Sequence, residues 1–110
     1  MAVGRMVHVL QVATVLCAIG PVAYAQTPSE LLRGQEIAER ACAGCHAIDG
    51  QQGGTIQGTV VPSFRAIAGR PDWTRERLQA FIMMPHRPMP GIPLSLAEVK
   101  DVAAYIRSLK

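Results

Sequence analysis

Two thiols and an imidazole share one short stretch of this chain, Cys42-Ala43-Gly44-Cys45-His46. Cysteines three residues apart project from the same side of a helical turn, so each sulfur can bond a haem vinyl group. The adjoining histidine then lies beneath the iron, with a neutral ring nitrogen to serve as an axial ligand. Other chemistries also use a CxxC pair. A structural disulfide or a thioredoxin-like pair calls for a flanking strand–helix pattern, whereas the residues before Cys42 read as helix. A zinc site calls for a second ligand pair, and the chain has no other CxxC and no His-x-x-x-His. The spacing favours covalent haem attachment over the zinc and redox-pair alternatives.

The elements that must hold this motif are legible from caps and periodicity. Thr27-Pro28-Ser29-Glu30 is a capping box, with a hydroxyl at N-cap, proline at N1 and a carboxylate at N3. The helix it opens carries a stripe of small and apolar residues at Leu31, Gly34, Ala38 and Ala41 or Cys42, and should run to about the cysteine motif. From Ala47 to Val61 the chain is glycine-rich with little period and reads as loop. Phe64 to Ala68 fits a short helix ended by Gly69-Arg70-Pro71. A further helix is expected to begin at Asp72 or Trp73, to bury Leu78, Phe81 and Ile82, and to stop at Pro85. A proline-dense loop follows. Ser95-Leu96-Ala97-Glu98 is a second capping box, and Val99, Val102, Ala103, Ile106 and Leu109 give the last helix its apolar stripe. The expected class is all-α, with three or four helices and no convincing strand.

Composition narrows the function further. Arg5 is the only charge in the first 29 residues, and it precedes an apolar run from Val7 to Ile19 broken by His8, Gln11 and Thr14. Gly20-Pro21 ends the run, and Ala23-Tyr24-Ala25 offers the small-x-small pattern that a signal peptidase reads. Residues 1–25 are therefore expected to be a cleaved secretory signal, and residues 26–110 the mature domain. The polar interruptions and Pro21 weaken the reading of 6–25 as a membrane anchor. Leu16 stands where a lipid attachment at Cys17 would want a small residue. Removing 25 of 110 residues leaves 85, with two cysteines, both in the motif.

The formal charge of +3 falls to +2 once Arg5 is removed, leaving ten basic side chains against eight acidic ones. No concentrated basic footprint remains, which argues against a nucleic-acid partner. The mature aromatics are Phe64, Trp73, Phe81 and Tyr105. A domain this small is marginal on its own core, so a central haem would supply the missing apolar mass, and the chain without it should fold poorly.

Taken together, these residues resemble the class I monohaem cytochrome c family over nearly the whole mature chain, with the attachment motif near the N-terminus. The resemblance implies a small fold of helices and loops wrapped around one haem c, in which the N- and C-terminal helices cross. Gly34, eight residues before Cys42, matches a glycine that lets those helices approach closely. Asp101-Val102-Ala103-Ala104-Tyr105-Ile106 matches its partner face. Pro62 matches a proline whose carbonyl accepts the second ring N–H of the proximal histidine, His46; the plain alternative is a loop terminator. Trp73 matches a tryptophan that donates its indole N–H to a haem propionate; the plain alternative is a core aromatic at a helix start.

Pro88-Met89-Pro90 closely resembles the family's methionine loop, and the resemblance makes Met89 the distal iron ligand. Its competitors are Met83 and Met84, which read as packing filler, and His86, which reads as a solvated loop histidine. Thioether ligation favours reduced iron, and the flanking prolines restrict the loop at lower entropic cost. With both axial positions filled, the resemblance implies a periplasmic one-electron carrier and not an enzyme, monomeric and without a membrane anchor. Its partners would be redox proteins: an exported dehydrogenase, a membrane cytochrome complex or a terminal oxidase. A permanently bound haem subunit of a periplasmic oxidoreductase and a gas-binding sensor are the alternative readings.

Overall fold

Thr27 opens the first helix as its sequence predicts. In the computed structural model, which describes residues 25–49 and 53–110, its hydroxyl accepts from the Glu30 N–H and the Glu30 carboxylate accepts from the Thr27 N–H. A cap of this kind contributes about 1 kcal/mol. Helix α1 spans Pro28–Ala41 and buries Gly34, Ile37 and Ala38. Leu31 is only half-buried, and Ile37 joins the stripe in its place. Residues 1–24 of the expected signal segment lie outside the described residues.

Two short strands follow, β1 (Gly54–Ile56) and β2 (Thr59–Val61), paired antiparallel with Gly54 opposite Val61 and Ile56 opposite Thr59. This corrects the expectation of an unstructured loop from Ala47 to Val61. Gln57 and Gly58 both have positive φ, 49° and 78°, as a primed two-residue hairpin turn requires. Glycine meets that requirement without steric cost. The β-branched residues on either side of Gln57-Gly58 favour extended backbone, so glycine content alone was a poor guide here.

Helix α2 (Phe64–Ala68) has the predicted bounds and is capped by the Ser63 hydroxyl. Helix α3 spans Arg75–Met83, starting later than the expected Asp72 or Trp73. Thr74 is the reason: its hydroxyl accepts from the Arg77 N–H at 3.2 Å, so Trp73 sits just before the helix and not in its first turn. Helix α4 spans Leu96–Ser108 under the predicted capping box of Ser95 and Glu98.

Helix α4 is the centre of the fold. It buries six residues, Val99, Val102, Ala103, Ala104, Tyr105 and Ile106, and packs against α1, α2 and α3. The α1–α4 crossing depends on Gly34. A Cβ there would overlap the Asp101 carbonyl and come within 2.8 Å of Tyr105 Cβ, so the two backbones meet where no side chain fits. Around the crossing, Arg33 Nε donates to Asp101 at 2.9 Å, Arg75 pairs with Glu30 and the Tyr105 hydroxyl donates to the Ile48 carbonyl at 3.2 Å. Loss of hydration, aided by Glu39 and Asp49, raises the Tyr105 phenol above its ordinary pKa, so it is a neutral donor near pH 7.

Candidate functional site

Helix α1 ends at the motif. Cys42 is its C-cap, and the chain continues for one further turn in which Cys45 N–H and His46 N–H both donate to the Cys42 carbonyl, at 3.1 and 2.9 Å. That turn places both thiols and the imidazole on the wall of one cavity of about 390 Å³, a volume in the range of small-molecule and cofactor sites. Neither cysteine is in a disulfide; Cys42 is buried and Cys45 exposed. Burial, with a smaller contribution from Cys45, pushes the Cys42 thiol up.

His46 is oriented from behind. Its Nδ1 lies 2.8 Å from the Pro62 carbonyl oxygen. A carbonyl only accepts, so Nδ1 carries the proton and Nε2 keeps its lone pair. Pro62 is positioned by the hairpin that precedes it, and the Phe64 N–H donates to the Ala47 carbonyl at 2.9 Å, tying the segment after Pro62 to the segment after His46. The Phe64 ring packs 5.5 Å from the imidazole.

The remaining walls are apolar. The hairpin supplies Ile56 and Val60, α3 supplies Leu78, Phe81 and Ile82, and α4 supplies Val102 and Ile106. Among the lining residues the only permanent charges are Arg70 and Arg87. Trp73 also lines the cavity at 8 % exposure, and its indole nitrogen is buried without a hydrogen-bond partner among the described residues. Arg70 and Arg77 lie over its ring, 5.0 and 5.5 Å from the centroid, and both also pair with Asp72. An unmatched buried N–H costs free energy unless something in the cavity accepts from it.

Met89 lines the same cavity, half-buried. Met83 and Met84 do not line it; they are 56 % and 59 % exposed, which corrects their reading as packing filler. His86 is corrected as well. It is no solvated loop residue: its ring lies 3.9 Å from that of Phe81, its Nδ1 is 2.9 Å from the Met84 carbonyl, and it lines the cavity. These contacts lie within five residues of His86, but they belong to an irregular segment whose conformation no sequence period announces. Arg70 and Arg87 likewise carry no motif that marks them out.

The cavity thus gathers all six residues singled out in the sequence: Cys42, Cys45, His46, Pro62, Trp73 and Met89. Two thiols, an imidazole, a thioether and an unpartnered indole N–H on largely apolar walls are a donor set that suits a haem.

Comparison with known proteins agrees. The family model described as cytochrome c oxidase, cbb3-type, subunit III, matches residues 29–106. Cytochrome c-552 of Bradyrhizobium diazoefficiens is 44 % identical over 77 residues, covering 70 % of this chain and 72 % of that protein. No solved structure matches the chain. On the matched span and on the cofactor its cavity fits, this chain belongs to the monohaem cytochrome c family, a small helical domain built to carry electrons on covalently bound haem c.

Proposed function

We propose that the protein is an exported one-electron carrier whose iron is ligated by His46 and Met89. The observation that carries this reading is the single cavity lined by Cys42, Cys45, His46 and Met89. Bound haem supplies the Fe(II)/Fe(III) couple. His46 offers Nε2 because Pro62 holds the proton on Nδ1. Met89 would offer a soft, neutral sulfur as second iron ligand, which would favour the reduced state and leave no open site for substrate. Trp73, whose indole nitrogen is buried without a partner among the described residues, would donate to a propionate, and Arg70 and Arg87 on the cavity wall would offset its charge. The protein is then a carrier and not an enzyme, and meets its redox partners through small, short-lived contacts.

Replacing Met89 with Ala should abolish the sulfur-to-iron charge-transfer band of the oxidised protein. Persistence of the band would move the assignment to Met83 or Met84. Rapid carbon monoxide binding by the reduced wild type at neutral pH would favour a sensor over a carrier.

Residues 1–25 act in this reading as a secretory signal cleaved before Gln26, delivering the protein to the periplasm. Gln26 is already attached to the domain through its side-chain N–H to the Ala104 carbonyl, 3.1 Å. No helix among the described residues is long and apolar enough to cross a membrane. N-terminal sequencing of the exported protein tests the cleavage site. A second reading, a haem subunit permanently bound to an oxidoreductase, is favoured by the matching family model, whose description is that of an oxidase subunit. Size-exclusion chromatography of native extract separates the two: a free carrier elutes alone, a subunit with its catalytic chain.

A further inference from the structure

One wall of the cavity is a ladder of three rings. Trp73 and Phe81 meet edge-on with centroids 4.8 Å apart, and His86 lies 3.9 Å beyond Phe81 at an interplanar angle of 40°. His86 is held at two further points. Its Nδ1 donates to the Met84 carbonyl at 2.9 Å, and its backbone pairs with that of Met89 in an isolated antiparallel bridge. His86 is the only aromatic side chain between Met84 and Leu94. The imidazole therefore ties the segment carrying Met89 to the inner face of α3, while Met83 and Met84 on either side of the helix end face solvent.

We propose that His86 is a positioning residue that latches the Met89 segment against Phe81 and so keeps the Met89 sulfur in the cavity. The proposal rests on the reading of Met89 as distal ligand. Release of that sulfur requires local opening of the segment, and the population of the open state sets how well an added ligand competes. The ring contact and the N–H···O bond both oppose opening. Losing both raises the open population about tenfold.

The test is a titration of the oxidised holoprotein with imidazole, followed by absorption, for wild type, H86A, H86F and M89A. H86A should keep the charge-transfer band in the absence of imidazole and bind imidazole about tenfold more tightly than wild type. H86F, which keeps a ring against Phe81 without the N–H, should fall between them. Should H86A fail to mature, H86Q, which keeps a donor without the ring, takes its place beside H86F, and both should exceed wild type. An unchanged imidazole affinity overturns the latch, even if the denaturant midpoint falls, because a merely structural residue would lower the midpoint alone. In that event loss of the band in M89A leaves the distal-ligand reading standing. A wild-type protein without the band, whose low-spin spectrum changes in H86A but not in M89A, would make His86 the ligand and overturn both.

Discussion

The α1–α4 crossing and the cavity beside it are built on opposite principles. At the crossing, protein meets protein with nothing left over: Gly34 admits the Asp101 carbonyl, Arg33 pairs with Asp101, and Tyr105 reaches the Ile48 backbone. Around the cavity the same chain leaves apolar faces and polar atoms unmatched. Val60 is 76 % exposed although it lines the wall, and the Trp73 indole has no partner among the described residues. The first region is complete as polypeptide. The second is half of an interface whose other half is the cofactor, so the two should respond differently to losing it.

Removing haem attachment gives the largest effect. A C42S/C45S protein lacks the apolar mass that joins the hairpin, α3 and the Met89 segment, and it should show no cooperative thermal transition and little near-UV circular dichroism. A native near-UV spectrum with a sharp melt would show that the crossing alone sustains the fold. Breaking the crossing instead, with Gly34→Val, forces the α1 and α4 backbones apart at a cost of about 3 kcal/mol. That corresponds to a fall in Tm on the order of 10–20 °C for a domain of this size. The fraction of chain that acquires haem should fall as well, because the same crossing aims Cys42, whereas molecules that do attach haem should keep the wild-type axial-ligand spectrum; a changed spectrum in those molecules would mean that the crossing also shapes the cavity.

A gentler change probes the cavity alone. Trp73→Phe keeps the ring contact with Phe81 but deletes the indole donor. On the proposed role of Trp73 as donor to a propionate, that propionate should titrate about one pH unit higher, moving the pH dependence of the midpoint potential by the same amount; an unmoved profile places the propionate elsewhere.

The smallest effect belongs to the scaffold. The Ser95 N–H and hydroxyl both donate to Glu98 and hold its carboxyl below the usual carboxylate range, with Arg40 assisting and burial opposing. A depressed folded pKa means the stabilisation is present above the unfolded value of about 4.3 and is lost as pH falls through the lower folded value. Below about pH 4 the Tm of wild type should therefore converge on that of Glu98→Gln, the gap being widest near neutrality. A gap that does not depend on pH would remove the charge from the explanation.

The same contrast governs what could be read from the sequence. Helix ends follow from local chemistry, so Thr27 with Glu30 and Ser95 with Glu98 located α1 and α4 outright. Thr74 offers only the hydroxyl half of that signal, with Arg77 where the carboxylate would stand, and the pull of Trp73 as a helix-start aromatic placed the α3 boundary too early. The hairpin was hidden by counting glycines, although Thr55-Ile56 and Thr59-Val60-Val61 flank a two-residue turn. Within the site, the attachment motif stood out because its chemistry needs those residue types at that spacing, and Met89 through the resemblance of Pro88-Met89-Pro90 to the family's methionine loop. His86, Arg70 and Arg87 did not, because all three lie in irregular segments on either side of α3, whose course no local period encodes.

The position of Gly34 also sets a mechanical tolerance. Eight residues of helix separate it from Cys42, a lever of about 12 Å. A change of about 10° in the angle at which α1 crosses α4 would therefore swing the first cysteine sulfur by about 2 Å, more than the length of the carbon–sulfur bond it has to make. Fidelity of cofactor attachment is thus fixed two helical turns away, by the absence of a single methyl group.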